Sequence, residues 1–188
     1  MSAALCAALA APGCAPRSGG GAAAVASSAP AGTAVTLVAS RDGSVRYRMP
    51  AGWFDAGEDS LGARCSLWLM RGDYAGSLTV RQVHMRSLGA EDLAGDGLLE
   101  VARLTASLET TRQPGVLTRA PGRIAAGGKD AVSYDVEYTG SGDRARTVLL
   151  DAGGSVVAVT ALVNGSAPQG AAREIFGVLD EFLATARW

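Results

Sequence analysis

The chain of 188 residues has one histidine, three cysteines and a single lysine, Lys129, and only 5% of it is aromatic. One histidine excludes His-rich metal centres, and three cysteines exclude zinc modules built on cysteine pairs. No apolar run reaches the roughly 18 residues that a membrane-spanning helix needs. Neither sign of charge dominates: 17 Lys and Arg face 18 Asp and Glu, a formal net charge of −1. A nucleic-acid protein normally carries a basic stripe, so nucleic acid is not an expected partner. Phosphate-loop, nucleophile-elbow and HExxH zinc-protease motifs are missing too. What is present is apolar: 48% of the residues, with 19% charged. A chain of that length and make-up predicts one domain plus a tail, with roughly 70% of the domain's surface buried.

The tail is at the N-terminus. Residues 3–11 form a short apolar run, followed by Pro12, Gly13 and Cys14. A small residue just before a cysteine, after an apolar stretch, resembles the lipobox that ends a bacterial lipoprotein signal. Gly13 then precedes the cleavage point and Cys14 is the acylated residue. Ala11 stands where the pattern has Leu, Pro12 is unusual at the next position, and no basic segment precedes the run. A start codon placed too far downstream would account for the short signal. The expected organisation is a signal peptide over 1–13, a lipid-attached tether over 14–34 and a folded domain over 35–188. The alternatives are a plain secretory signal and an Ala-rich leader without function. Residues 17–33 are rich in Gly, Ala, Ser and Pro without a period, which suits a flexible tether. Cys6 leaves with the signal, which leaves Cys65 without a disulfide partner. In its apolar stretch Cys65 reads as a small hydrophobe rather than a reactive thiol.

The rest of the sequence alternates strand and helix signals. Residues 35–39 read as a first short strand, and Arg41-Asp42-Gly43 as a turn. Residues 44–49 alternate with a period of two, as a half-buried strand does, and Pro50 ends them. Further strands are predicted over 63–70 and 77–85. The apolar phase of the second shifts midway, which implies a bulge or a change of covered face. A helix is predicted over 90–109, with Leu98, Val101, Ala102, Thr105 and Leu108 on one face. Strands over 116–119, 123–126, 131–138 and 144–151 follow. The strand over 156–163 is apolar on both sides, which predicts a central position covered on both faces. Ser166 and Gln169 fit a capping box with Pro168 in the first turn of a last helix. Ile175, Val178, Leu179, Phe182, Leu183 and Ala186 form its apolar face. The order predicts an α+β fold with a largely antiparallel sheet flanked by helices.

The run Tyr47-Arg48-Met49-Pro50-Ala51-Gly52-Trp53 resembles the strand ending in a Pro-x-Gly-Trp turn of the PsbP-like (Mog/PsbP-type) group. The strand order, with one helix inserted after the first part of the sheet, is similar as well. So is the ending, where a strand, the turn Asn164-Gly165 and an amphipathic helix close the chain. The resemblance covers roughly 35–188. It implies an α/β/α sandwich and a non-enzymatic binding or assembly role. Partners differ widely within the group, so no interface residue carries over.

Residues able to do chemistry are few. His84 would have to serve any Ser–His or Cys–His pair, and it reads instead as an exposed or core histidine. Glu91, Asp92 and Asp96 suit the dipole at the start of the middle helix, and Asp180 and Glu181 suit a solvated face. Gly127-Gly128 and Gly153-Gly154 read as turns rather than phosphate cradles, and Asn164-Gly165-Ser166 as a turn with a helix cap rather than a glycosylation site. Arg112, Arg119, Arg123, Lys129, Arg144 and Arg146 form either a solvated face or a basic surface for anionic lipid or glycan. Trp53, Trp68 and Trp188 read as core ahead of interface. No catalytic residue, metal site or cofactor is expected, and no ligand site can be named. The expected protein is an exported bacterial lipoprotein of the cell envelope, held to a membrane through a lipid on Cys14, on the periplasmic or extracytoplasmic face. Its domain would bind or help assemble another envelope protein or glycan. The alternatives are a carrier of a small apolar or anionic ligand and, more remotely, an envelope hydrolase.

Overall fold

The computed structural model describes residues 37–57, 65–84 and 97–188. Cys6, Cys14, the 14–34 stretch, Glu91, Asp92 and Asp96 lie outside them. The described residues begin with a hairpin of β1 (Leu37–Ala39) and β2 (Arg46–Arg48), turned by Asp42. Then come β3 (Trp53–Asp55), β4 (Leu67–Arg71), β5 (Gly76–Val83) and helix α1 (Gly97–Arg112). They are followed by β6 (Gly115–Ala126), β7 (Lys129–Tyr138), β8 (Arg144–Asp151), β9 (Val156–Val163) and helix α2 (Ala171–Thr185). Strands β3 to β9 make one seven-stranded sheet in the order β3-β4-β5-β9-β8-β7-β6. All its neighbours pair antiparallel. This is the α+β architecture that the pattern predicts.

The doubly apolar β9 is the central strand. Val157, Val159, Ala161 and Val163 face α2, whose Ile175, Leu179, Phe182 and Leu183 are buried against them. Fully burying a large apolar side chain contributes about 1.5–3 kcal/mol, so this face carries much of the stability. Val45 and Tyr47 of the hairpin extend the same core. On the opposite face Val156 and Ala158 join Val132, Tyr134, Val136 and Leu149 beneath Val101, Ala102 and Ala106 of α1. Helix α1 packs over β6, β7 and β8.

The structure amends the expected elements in several places. The phase shift in β5 is a change of covered face, because its register with β9 runs unbroken from Gly76↔Val163 to Val83↔Val156. The segments 116–119 and 123–126 are one strand, β6, whose register slips on both sides of Arg119. Pro121 cannot donate to a ladder, and the slips let the strand continue past it. Strand β3, which pairs Trp53 with Arg71, is short enough to escape a period-two test. The capping box does not form. Ser166 instead donates its hydroxyl to Asn164 Oδ1 (2.8 Å), as Asx-turn chemistry favours. Helix α2 starts later, after a left-handed Gly170 at φ 93°. Leu108 of the predicted α1 face is 42% exposed, and Ala106 is buried in the core instead.

Candidate functional site

Helix α1 covers only part of its face of the sheet. Beside its C-terminal half an open cleft of about 650 Å³ remains, floored by β5, β9 and β8. Small-molecule sites span about 300–1,000 Å³, so the cleft is of ligand size. Its apolar lining includes Val83, Leu108, Ala145, Ala158 and Leu162. Ser77, Thr79 and Thr160 put hydroxyls on its floor, and Arg81, His84, Arg112 and Gln113 stand around it.

Strand register builds the floor. Trp68, Thr79, Thr160, Thr147 and Tyr134 are successive cross-strand partners from β4 to β7. Thr147 and Thr160 share a hydrogen bond of 2.9 Å between their hydroxyls. The Tyr134 phenol donates to Glu109 Oε2 (2.7 Å), and the Tyr138 phenol donates to the other carboxylate oxygen of Glu109. One carboxylate on the last turns of α1 thus joins the helix to two tyrosines of β7. Burial, reinforced by the neighbouring Glu109 charge, pushes both phenols well above the ordinary tyrosine range. Both therefore stay protonated donors at neutral pH.

The sequence-nominated residues scatter around this geometry. His84 is exposed at the end of β5 and lines the cleft. Cys65 is half-buried, and burial raises its thiol pKa despite the charge of Arg81, so it is not an activated nucleophile. The basic residues do not form one surface. Arg119 and Arg146 flank Asp135 in one cross-strand row and both bind its carboxylate, at 2.9 Å each. The Asp135 hydrogen bond raises the pKa of Arg146, whose guanidinium also lies 4.4 Å from the Phe176 ring centre on α2. Arg112, by contrast, stands at the cleft on the α1 side. Trp53 and Trp188 pack against the α2 core, and Trp188 meets Phe182 edge-on at 6.2 Å. Trp68 is half-buried. Among the described residues no group of three or more His, Cys, Asp or Glu is placed to hold a metal, and no helix is long and apolar enough to cross a membrane.

The sequence reading leaves the ligand site unnamed, and the cleft explains why. Its walls come from segments remote in sequence, and its serines and threonines read as an ordinary solvated strand face. The one available signal was the phase shift in β5, a strand whose Ser77, Thr79 and Arg81 line the cleft.

This architecture recurs among solved structures. The Ran-binding protein Mog1p of Saccharomyces cerevisiae superposes with a TM-score of 0.57, at 10% identity, over 81% of this chain and 94% of its own. The PsbP protein of the cyanobacterium Synechocystis superposes at 0.55, with 11% identity, over 87% of this chain and 98% of its own. This chain has the Mog1/PsbP fold. LpqN of Mycobacterium tuberculosis, described as involved in cell envelope biogenesis, overlaps at 0.48 with 12% identity, over 76% of this chain and 81% of its own. At such identities the Mog1/PsbP likeness is one of architecture alone. No protein-family model and no curated protein sequence matches the chain.

Proposed function

We propose that the chain is an exported lipoprotein, acylated on Cys14, whose Mog1/PsbP-like domain binds another component of the cell envelope and performs no chemistry of its own. The observation that carries this reading is the Gly13-Cys14 step after an apolar run, joined by a Gly/Ala/Ser-rich stretch to the domain. Acyl chains contribute about 0.8 kcal/mol per buried CH₂, so several on one cysteine make a stable anchor. The fold supports a binding role, since one protein that shares it is described as Ran-binding. Detergent-phase partition of the full chain, produced in a bacterium, tests the anchor. The wild type should enter the detergent phase and Cys14→Ala should remain aqueous. Aqueous behaviour of both would sink the lipoprotein reading.

The cleft favours a second reading, in which the domain carries a small ligand between α1 and the sheet. Its size and its mixed lining support this. Native mass spectrometry of the purified chain would then show an added mass that is lost on unfolding.

A further inference from the structure

The cleft beside α1 is poor in free acceptors and rich in free donors. Strand β5 puts Ser77, Thr79 and Arg81 on its α1 side, while Leu78 and Val80 between them are buried in the α2 core. The period of two along a strand therefore aims the Arg81 side chain at the cleft. Its register partner on β9 is Ala158, which is too small to cover it. Arg112, in the last turn of α1, lines the same cleft from the helix.

The carboxylates of the lining are engaged within the fold. Glu109 accepts from the Tyr134 phenol at one oxygen and from the Tyr138 phenol at the other. Asp143 accepts from the Gly165 backbone N–H at 2.7 Å. The guanidiniums are not engaged: among the described residues neither Arg81 nor Arg112 makes an ion pair or a side-chain hydrogen bond. Elsewhere Arg48, Arg71, Arg103, Arg119 and Arg146 each meet a carboxylate. Burial dominates the two phenols, and the charge of Arg81 pulls against it at both. Arg81 thus stands close to the Glu109 cluster without bonding to it.

Apolar surface lies beside these donors. Leu108 of α1, 42% exposed, lines the cleft, as do Val83 and Leu162. A ligand that satisfies this lining brings acceptors to two cationic forks and an apolar body to the space between helix and sheet. Guanidinium forks match the oxygens of carboxylates and phosphates, and each bond to such a head is charge-assisted.

We propose that the cleft binds a small organic anion, its oxyanion head held by Arg81 and Arg112 and its apolar body lying against Leu108 and Leu162. This deepens the ligand-carrier reading above and rests on it. An uncharged ligand of the same shape leaves both guanidiniums without an acceptor, and a cation is repelled by them.

The test uses the full chain and two dyes with one apolar body. Anilinonaphthalene sulfonate carries an anionic head, and phenylnaphthylamine is the same skeleton without it. Each gains emission on leaving water, so both are titrated against the protein at fixed ionic strength. The sulfonate should bind about tenfold more tightly than the uncharged dye. Arg81→Gln and Arg112→Gln should each weaken sulfonate binding about tenfold, as the loss of a charge-assisted hydrogen bond does, and leave the uncharged dye unaffected. Arg103→Gln, on α1 but outside the lining, should change neither. Arg112 also complements the C-terminal dipole of α1, so the fold of each variant is checked by circular dichroism. Thr79→Phe, which fills the floor, should abolish the binding of both dyes. Naphthoate should displace the bound sulfonate, and inorganic phosphate, which lacks an apolar body, should not. Equal binding of the two dyes, unchanged by either arginine substitution but lost in Thr79→Phe, overturns the anion and keeps the cleft as a ligand site. Dye binding that survives Thr79→Phe overturns the ligand reading of the cleft as well.

Discussion

At the scale of single residues, two side chains set opposite terms for the N-terminal hairpin. Asp42 turns it by accepting from Ser40 Oγ, from the Ser44 backbone N–H and from Ser44 Oγ, at 2.8, 3.0 and 2.6 Å. Partial burial pushes its pKa up, but these bonds together with one from Ser66 prevail and hold the carboxyl well below the usual range. A lowered folded-state pKa stabilises above the unfolded value of about 3.9 and is lost as pH falls through the folded one. The stability gap between wild type and Asp42→Asn, read from urea midpoints, should therefore be constant near neutrality and narrow in strong acid. Tyr47 is the contrary case. Its side chain is fully buried against Phe182, and its hydroxyl has no hydrogen-bond partner among the described residues. Burial and the charge of Asp55 push its pKa up to about 12. An unsatisfied buried hydroxyl costs about 1–3 kcal/mol, so Tyr47→Phe should stabilise the domain by roughly 1 kcal/mol. A loss of stability in that variant would show that the hydroxyl is satisfied in solution.

At the scale of elements, the link between α1 and the sheet is the most exposed to test. Tyr134 and Tyr138 both donate to Glu109. Glu109→Ala leaves two phenols without their acceptor and should cost roughly 2–3 kcal/mol, whereas Glu109→Gln keeps an acceptor and should cost less. Removing the charge should also lower both phenol pKa values, which alkaline absorbance titration would register. The opposite helix is held differently. At Gly127, φ 57°, the β6–β7 turn passes so close to the Leu183 carbonyl that a Cβ would strike it. The turn and the end of α2 are thus fitted by the absence of a side chain, which a pair of glycines in the sequence does not by itself disclose. Other elements were legible for plain reasons. The apolar face of α2 is four turns of unbroken period, and β9 is apolar at every position but Thr160. The capping box failed because α2 begins only after Gly170, four residues beyond Ser166.

At the scale of the whole molecule, β9 belongs to both cores. Val159 faces α2 and Ala158 faces α1 on the same strand. Neither layer can be lost without exposing the back of the other, so the domain should unfold in one transition. Tryptophan emission and far-ultraviolet ellipticity should give one midpoint, and Leu179→Ala should shift both together by about 2–5 kcal/mol. Separate midpoints would mean that the layers are independent. The architecture could be inferred from sequence because strand order and apolar phase are local properties. The cleft could not, since Arg81, Glu109, Asp143 and Leu162 become neighbours only once the sheet has closed.

The two margins of the sheet carry a further consequence. One is β3, three residues long, and the other is β6, broken in register around Pro121. Neither presents the long, straight row of unpaired amides on which a foreign strand would grow. Each meeting of two copies is a chance for sheets to fuse at an open margin. A stubby margin and a kinked one let copies of the domain meet at high concentration without stitching into fibres.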